Sequence, residues 1–155
     1  MIKRTGVENE RWSHASIRIG GETLVPEEIA AALDLQATRT HLKGQQRSDR
    51  APLRKSVWHD SMWLLSSPLG KERDLATHLR WLLDVIEPKL NVMQSLSEKY
   101  QVALFCGFCS ANGQGGFTLD STTLARIANL GVPLILDLYP PGIQEDEIDG
   151  NDVVN

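Results

Sequence analysis

Cys106 and Cys109 stand three residues apart, the spacing at which two thiols can close a redox disulfide or supply half of a zinc site. Both uses need a particular backbone. A thioredoxin-like pair opens a helix, whose N-terminal dipole lowers the first thiol's pKa. Here the pair ends the run Gln101 to Cys109 (QVALFCGFC), which has strand character. Strand side chains alternate faces, so residues three apart point to opposite sides of a sheet. The following residues, Ser110 to Gly116, form a turn-rich loop without a helix start, and no second cysteine pair exists to complete a zinc site. The expected state is two buried, reduced strand cysteines. No metal and no cofactor is implied.

The other candidates are similarly incomplete. Gly113, Gly115 and Gly116 could cradle an anion with backbone N–H groups, but no lysine follows as in a P-loop, so a tight turn is expected. His14, His41, His59 and His78 show neither HxH nor HExxH spacing and read as surface or strand histidines. Asp74 and His78, four apart, read as a helix-surface pair. Trp58 and Trp63 flank the basic segment and are expected to be partly exposed; tryptophan is favoured at binding hot spots.

Charge is unevenly placed. The net charge is −4, from 16 Lys plus Arg against 20 Asp plus Glu, yet Arg39, Lys43, Arg47, Arg50, Arg54 and Lys55 meet only Asp49 between them. Beyond Arg126 there is no basic residue, and Asp137, Glu145, Asp146, Glu147, Asp149 and Asp152 follow. The basic segment is a candidate anion site. The overall negative charge disfavours a general nucleic-acid protein.

These residues need elements to position them. At 155 residues and 41% hydrophobic content, the chain suits one well-cored domain. Ala15, Ile17 and Ile19 alternate with His14, Ser16 and Arg18, the pattern of a half-buried strand, placed near an edge or with one wetter face. Pro26, Glu27 and Glu28 open a short helix through about Leu33, without a good N-cap at Val25. Residues 36–56 read as a long basic loop and Val57 to Leu65 as a second strand, with a bulge or hairpin compatible. Leu75, Leu79, Leu82, Leu83 and Ile86 have the spacing of a core-facing helix, kinked or restarted at Pro88. Gln101 to Cys109 is the third strand, expected to be central. Asp120 or Ser121 caps a helix ended by Gly131, and Pro133 to Tyr139 is the last strand. The expectation is an α/β fold of α+β type: a mixed sheet of about four strands with three to four helices packed mainly on one face. An N-terminal arm (1–12), a domain (13–140) and an acidic, disordered tail (141–155) complete the layout. No signal-like core follows the basic start, and no apolar run approaches the roughly 18 residues of a membrane span, which suggests a cytoplasmic protein without membrane contact.

Several blocks taken in order carry a family resemblance. Ser16 to Gly21 leading to Pro26-Glu27-Glu28-Ile29, Leu33 to Arg39 with Lys43-Gly44, His78 to Asp84 with Glu87-Pro88-Lys89, Asn112 to Phe117, and Gly131 to Tyr139 resemble a bacterial family of small single-domain proteins catalogued only as a domain of unknown function. The resemblance spans about Ala15 to Tyr139. It departs from the family pattern at Val25 and Gln45, where acids are expected. It implies no activity.

Three functions are consistent with these features. The favoured one is a non-catalytic protein-binding module of immunity or regulatory type, whose partner is another protein; a homodimer is compatible. The second is a binder of an anionic small molecule or nucleic acid through Arg39, Lys43, Arg47, Arg50 and Arg54, with Trp58 beside them. The third is an enzyme with Arg18, His59, Asp137 and Tyr139 on the less covered sheet face, where Arg18 and Asp137 could instead form a cross-sheet ion pair.

Overall fold

Strand β1 (Trp12–Gly21) lies in the middle of a five-stranded sheet, where its alternating sequence decides which side of the fold is dry. The computed structural model describes residues 11–47, 56–110 and 115–139. The other strands are β2 (Arg39–His41), β3 (Ser61–Ser66), β4 (Gln101–Cys109) and β5 (Leu134–Tyr139), in spatial order β2-β3-β1-β4-β5. β1 pairs antiparallel with both β3 and β4, whereas β5 runs parallel to β4. A parallel neighbour needs a crossover, and helix α4 (Ser121–Leu130) provides it.

The sheet is mixed, as expected, but with one strand more. β2 lies inside the segment 36–56 that reads as loop, and pairs antiparallel with β3. Hydrogen bonds from Gly44 N to Trp58 O (2.8 Å), Trp58 N to Gln45 O (2.9 Å) and Arg47 N to Ser56 O (3.0 Å) continue that hairpin outward, with a bridge between Gln46 and Val57. Three residues are too few to show a period of two, which is why the sequence concealed β2. The strand expected over 57–65 accordingly begins at Ser61. β1 is central and, of the two placements its alternation allows, has the one with a wetter face.

Ala15, Ile17 and Ile19 of β1, with Trp63, Leu65, Val102, Leu104 and Cys106 of its neighbours, form a dry face. Onto it pack Ile29 and Leu33 of α1 (Pro26–Leu33), five apolar residues of α2 (Leu75–Ile86), Met93 and Leu96 of α3 (Leu90–Lys99), and Ile127 and Leu130 of α4. Trp63 is fully buried here, contrary to its expected exposure. Pro88 sits in a single 3₁₀ turn joining α2 to α3, the restart its missing donor requires.

The helix ends follow their chemistry. Asp74 accepts from Thr77 N (3.1 Å) and Asp120 from Thr123 N (2.7 Å), each capping its helix, while Val25 offers no side-chain cap. Gly131 takes φ +73°, as a left-handed C-terminal residue must. Asp74 and His78 are therefore not a surface pair: His78 is fully buried and its Nδ1 lies 2.9 Å from Ser67 Oγ. On the outer surface Arg126 of α4 binds Asp84 and Glu87 at 2.6 and 2.7 Å, tying α4 to α2 and the adjoining turn.

Leu79→Ala should lower unfolding free energy by about 2–5 kcal/mol in urea denaturation, because it empties a fully buried site. Leu138→Ala, at a side chain 65% exposed, should change it by less than about 0.5 kcal/mol.

Candidate functional site

The opposite face of the sheet is where the even-numbered residues of β1 emerge. Register sets their neighbours in rows: Arg39, Leu64, Arg18 and Ala103; Ser66, Ser16, Phe105 and Ile135; His14, Gly107 and Asp137; Trp12, Cys109 and Tyr139. A cleft of about 480 Å³ opens over this surface, and Arg18, Arg39, His14, Ser16, Lys71 and Tyr139 are among its lining residues.

Arg18 is half-buried at its base, with its guanidinium carbon 3.5 Å from the centroid of the Phe105 ring. Phe105 is itself 2% exposed, so the cation rests on a desolvated aromatic face. Burial first, then the charge of Arg39, pulls the Arg18 pKa down to about 10, against the opposing pull of Tyr139 and Asp137. Arg18 remains protonated at neutral pH. The downward shift records first the burial of the charge and then its closeness to Arg39, a cost that a bound anion would offset. Ser16 Oγ lies in the floor, buried and without a hydrogen-bond partner among the described residues. A buried hydroxyl left unsatisfied costs about 1–3 kcal/mol.

His14 closes one end. Its ring lies 6.2 Å from Phe105 and 5.9 Å from Trp12, which in turn sits 5.1 Å from Tyr139. Gly107 leaves room for the ring beneath it: a Cβ there would come within 2.5 Å of His14 Nε2 and push the imidazole aside. The His14 pKa is lowered to about 4, mainly by burial, then by the charges of His78 and Arg18, with Asp137 opposing. The ring is neutral at pH 7. Asp137 accepts a hydrogen bond from the Tyr139 hydroxyl.

A second cleft, of about 650 Å³, adjoins the first, since Arg18 lines both. Its wall is the extended hairpin. His41 stacks on Trp58 at 3.8 Å and 10°, and the guanidinium of Arg47 lies 4.2 Å from the same ring. Burial, then Arg39 and Arg47, lowers the His41 pKa to about 4. His59 lines this cleft and is exposed.

The expected site residues are thus divided. Arg18, Arg39 and Tyr139 line the first cleft, and Asp137 stands beside Tyr139; Arg18, Arg47, Trp58 and His59 line the second. Lys43 lines neither cleft, being paired with Glu22 at the surface. Arg50 and Arg54 lie outside the described residues. From the sequence His14 reads only as a surface or strand histidine, and Ser16, Lys71 and Phe105 are not singled out. Three polar residues on one face of a central strand, His14, Ser16 and Arg18, were the signal available for the first two.

Chemically the first cleft suits holding an anion better than activating a nucleophile. Ser16, His14 and Asp137 are the residue types of a hydrolytic triad, yet the Ser16 hydroxyl makes no hydrogen bond to the His14 ring. Both cysteines are buried and outside any disulfide, and burial pushes the Cys106 thiol up to about 12, so it is unreactive at neutral pH. Cys106 belongs to the dry core whereas Cys109 falls in the Tyr139 row of the other face, the opposed placement that strand alternation predicts. Among the described residues, no three His, Cys, Asp or Glu side chains approach closely enough to hold a metal ion, and no helix is long and apolar enough to cross a membrane.

The chain belongs to the family described as Domain of unknown function (DUF4279), which matches residues 10–141. No curated protein and no solved structure matches it.

The buried imidazoles make stability depend on pH. In the unfolded chain a histidine takes up its proton near pH ~6.5, whereas His14 and His41 in the fold do so only near 4. Acid therefore favours the unfolded state as pH falls from about 6.5 to about 4, with little dependence on these groups above that window. His14→Gln should flatten the decline of the urea midpoint between these two pH values; an unchanged slope would show that His14 is not the group responsible.

Proposed function

We propose that this chain is a non-catalytic binding module whose sheet face opposite the described helices holds an anionic group on Arg18 and Arg39. The observation that carries the reading is the convergence of three cations, Arg18, Arg39 and Lys71, on one cleft whose lining contains no carboxylate among the described residues. Arg18 is set for this task. Its side chain is immobilised on Phe105 and partly dehydrated, so less ordering and less water removal remain to be done when a ligand binds. The planar fork of an arginine matches a carboxylate or phosphate bidentately. The site differs from the surface anion site expected from charge alone, because Arg18 comes from the central strand and Lys43 is engaged by Glu22.

Methyl phosphate, titrated calorimetrically at low ionic strength, should bind with an affinity that falls as salt rises. Arg18→Gln and Arg39→Gln should each weaken it by about tenfold or more, the loss of one charge-assisted hydrogen-bonding group. A flat titration of the wild-type chain at low salt would overturn the reading.

A second reading, a protein-binding module of immunity or regulatory type in the bacterial cytoplasm, is supported by β5. Among the described residues this strand is paired only to β4, and Ile135, Leu136 and Leu138 are 37, 46 and 65% exposed. An apolar strand edge can accept an added strand from another chain, either a different protein or a second copy. Two cysteines outside any disulfide agree with a reducing compartment. On this reading, native mass spectrometry of the wild-type chain should show a complex with another protein or a second copy, which Leu136→Lys combined with Leu138→Lys removes and Arg18→Gln preserves. A complex that survives both changes would count against β5.

A further inference from the structure

Between the cationic cleft and the hairpin the sheet surface changes character without a break. Arg18 lines both clefts, and the row next to it runs His41, Met62, Gly20 and Gln101. Beyond Arg18, the cleft surface is more apolar, with Met62, Tyr100, Trp58 and Ile135 among its residues beside the charged Arg47 and Asp60. Gly20 is the unusual member. It lies near the end of the central strand, where glycine weakens packing and often marks close approach of another group. Among the described residues nothing crowds the space above it: a Cβ built there meets only the Ser61 carbonyl oxygen within 4 Å, at an ordinary 3.7 Å. The contrast is Gly107 on the same face, whose missing side chain is replaced by the His14 ring.

We infer that the two clefts are one site for an amphiphilic organic anion, a phosphate or carboxylate head on Arg18 and Arg39 joined to a flat apolar body lying over Gly20 against Met62 and Ile135. The inference rests on the anion-binding reading and adds the ligand's chemical class. Charge complementarity sets the head, since the first cleft is cationic, and continuity sets the body, since Arg18 is shared. The volumes, about 480 and 650 Å³, each lie in the range of small-molecule sites. The head alone gains electrostatic contact that salt weakens, whereas the body gains apolar burial that salt does not weaken.

The test compares three probes by calorimetry: methyl phosphate as head alone, 2-naphthol as body alone and 2-naphthyl phosphate as both. The expected result is that 2-naphthyl phosphate binds at least about tenfold tighter than either part. Gly20→Val should remove that advantage while leaving methyl phosphate affinity unchanged, because the valine fills the space over the strand. Ile135→Ser, at an exposed edge position, gives the same comparison should Gly20→Val fail to fold. If methyl phosphate binds and 2-naphthyl phosphate binds no tighter, the amphiphile is wrong and the anion site stands. If neither phosphate binds, both readings fall. If 2-naphthol binds as tightly as 2-naphthyl phosphate, the clefts act separately and the inference is overturned.

Discussion

Because neighbouring side chains on a strand leave by opposite faces, β1 has to build the core and the cleft from one stretch of ten residues. Its odd positions, Ala15, Ile17 and Ile19, are completely buried under the helices. Its even positions, His14, Ser16 and Arg18, come out together on the far side. A shift of one residue in pairing would drive an arginine into the core and expose two isoleucines, so the register is held by hydrophobic burial on one side alone. Stability and the position of the candidate site are therefore the same constraint seen from two faces.

The electrostatics of the open face follow from where β1 sits. A central strand has neighbours on both sides, so Arg18 leaves the sheet over Phe105 of β4 and close to Arg39 of β2. At an edge the same arginine would be solvated, and neither its desolvation nor its repulsion by a second arginine would be large. The histidines share this condition. His14 and His41 are kept neutral by burial among cations, so at neutral pH the charge of the cleft comes from arginine and lysine.

The extended hairpin connects the basic segment to this chemistry. Hydrogen bonds between its two arms hold Trp58 and Arg47 in a stack with His41, where an unpaired loop would leave them free to move. On the other side, α4 makes the crossover that permits β5 to lie parallel to β4, bringing Asp137 and Tyr139 level with Gly107 and Cys109. Membership of the DUF4279 family covers all of these elements and assigns none of them a role, so the functional argument rests on the cleft.

Local patterns made most of the elements readable. Pro26 and the acids after it, the leucine spacing of α2, Pro88, the Asp120 cap with Gly131, and the run Gln101 to Cys109 each depend on neighbours a few residues away, and each appears where the pattern puts it. Strand alternation also disposed of the Cys-X-X-Cys motif, since opposed faces are a local property. The sequence likewise marked Arg18, Arg39, Trp58 and Tyr139 as polar or aromatic residues in search of a role. It could not reveal β2, whose three residues have no intrinsic signature, or the central position of β1, or the burial of His78 and Trp63. Those depend on strand order and long-range packing, in which contacts between residues tens of positions apart compete and the total buried area decides. The cleft is of the same kind: Arg18, Arg39, Lys71 and Tyr139 are scattered along the chain, and only the pairing of five strands brings their charges and hydroxyls to one surface.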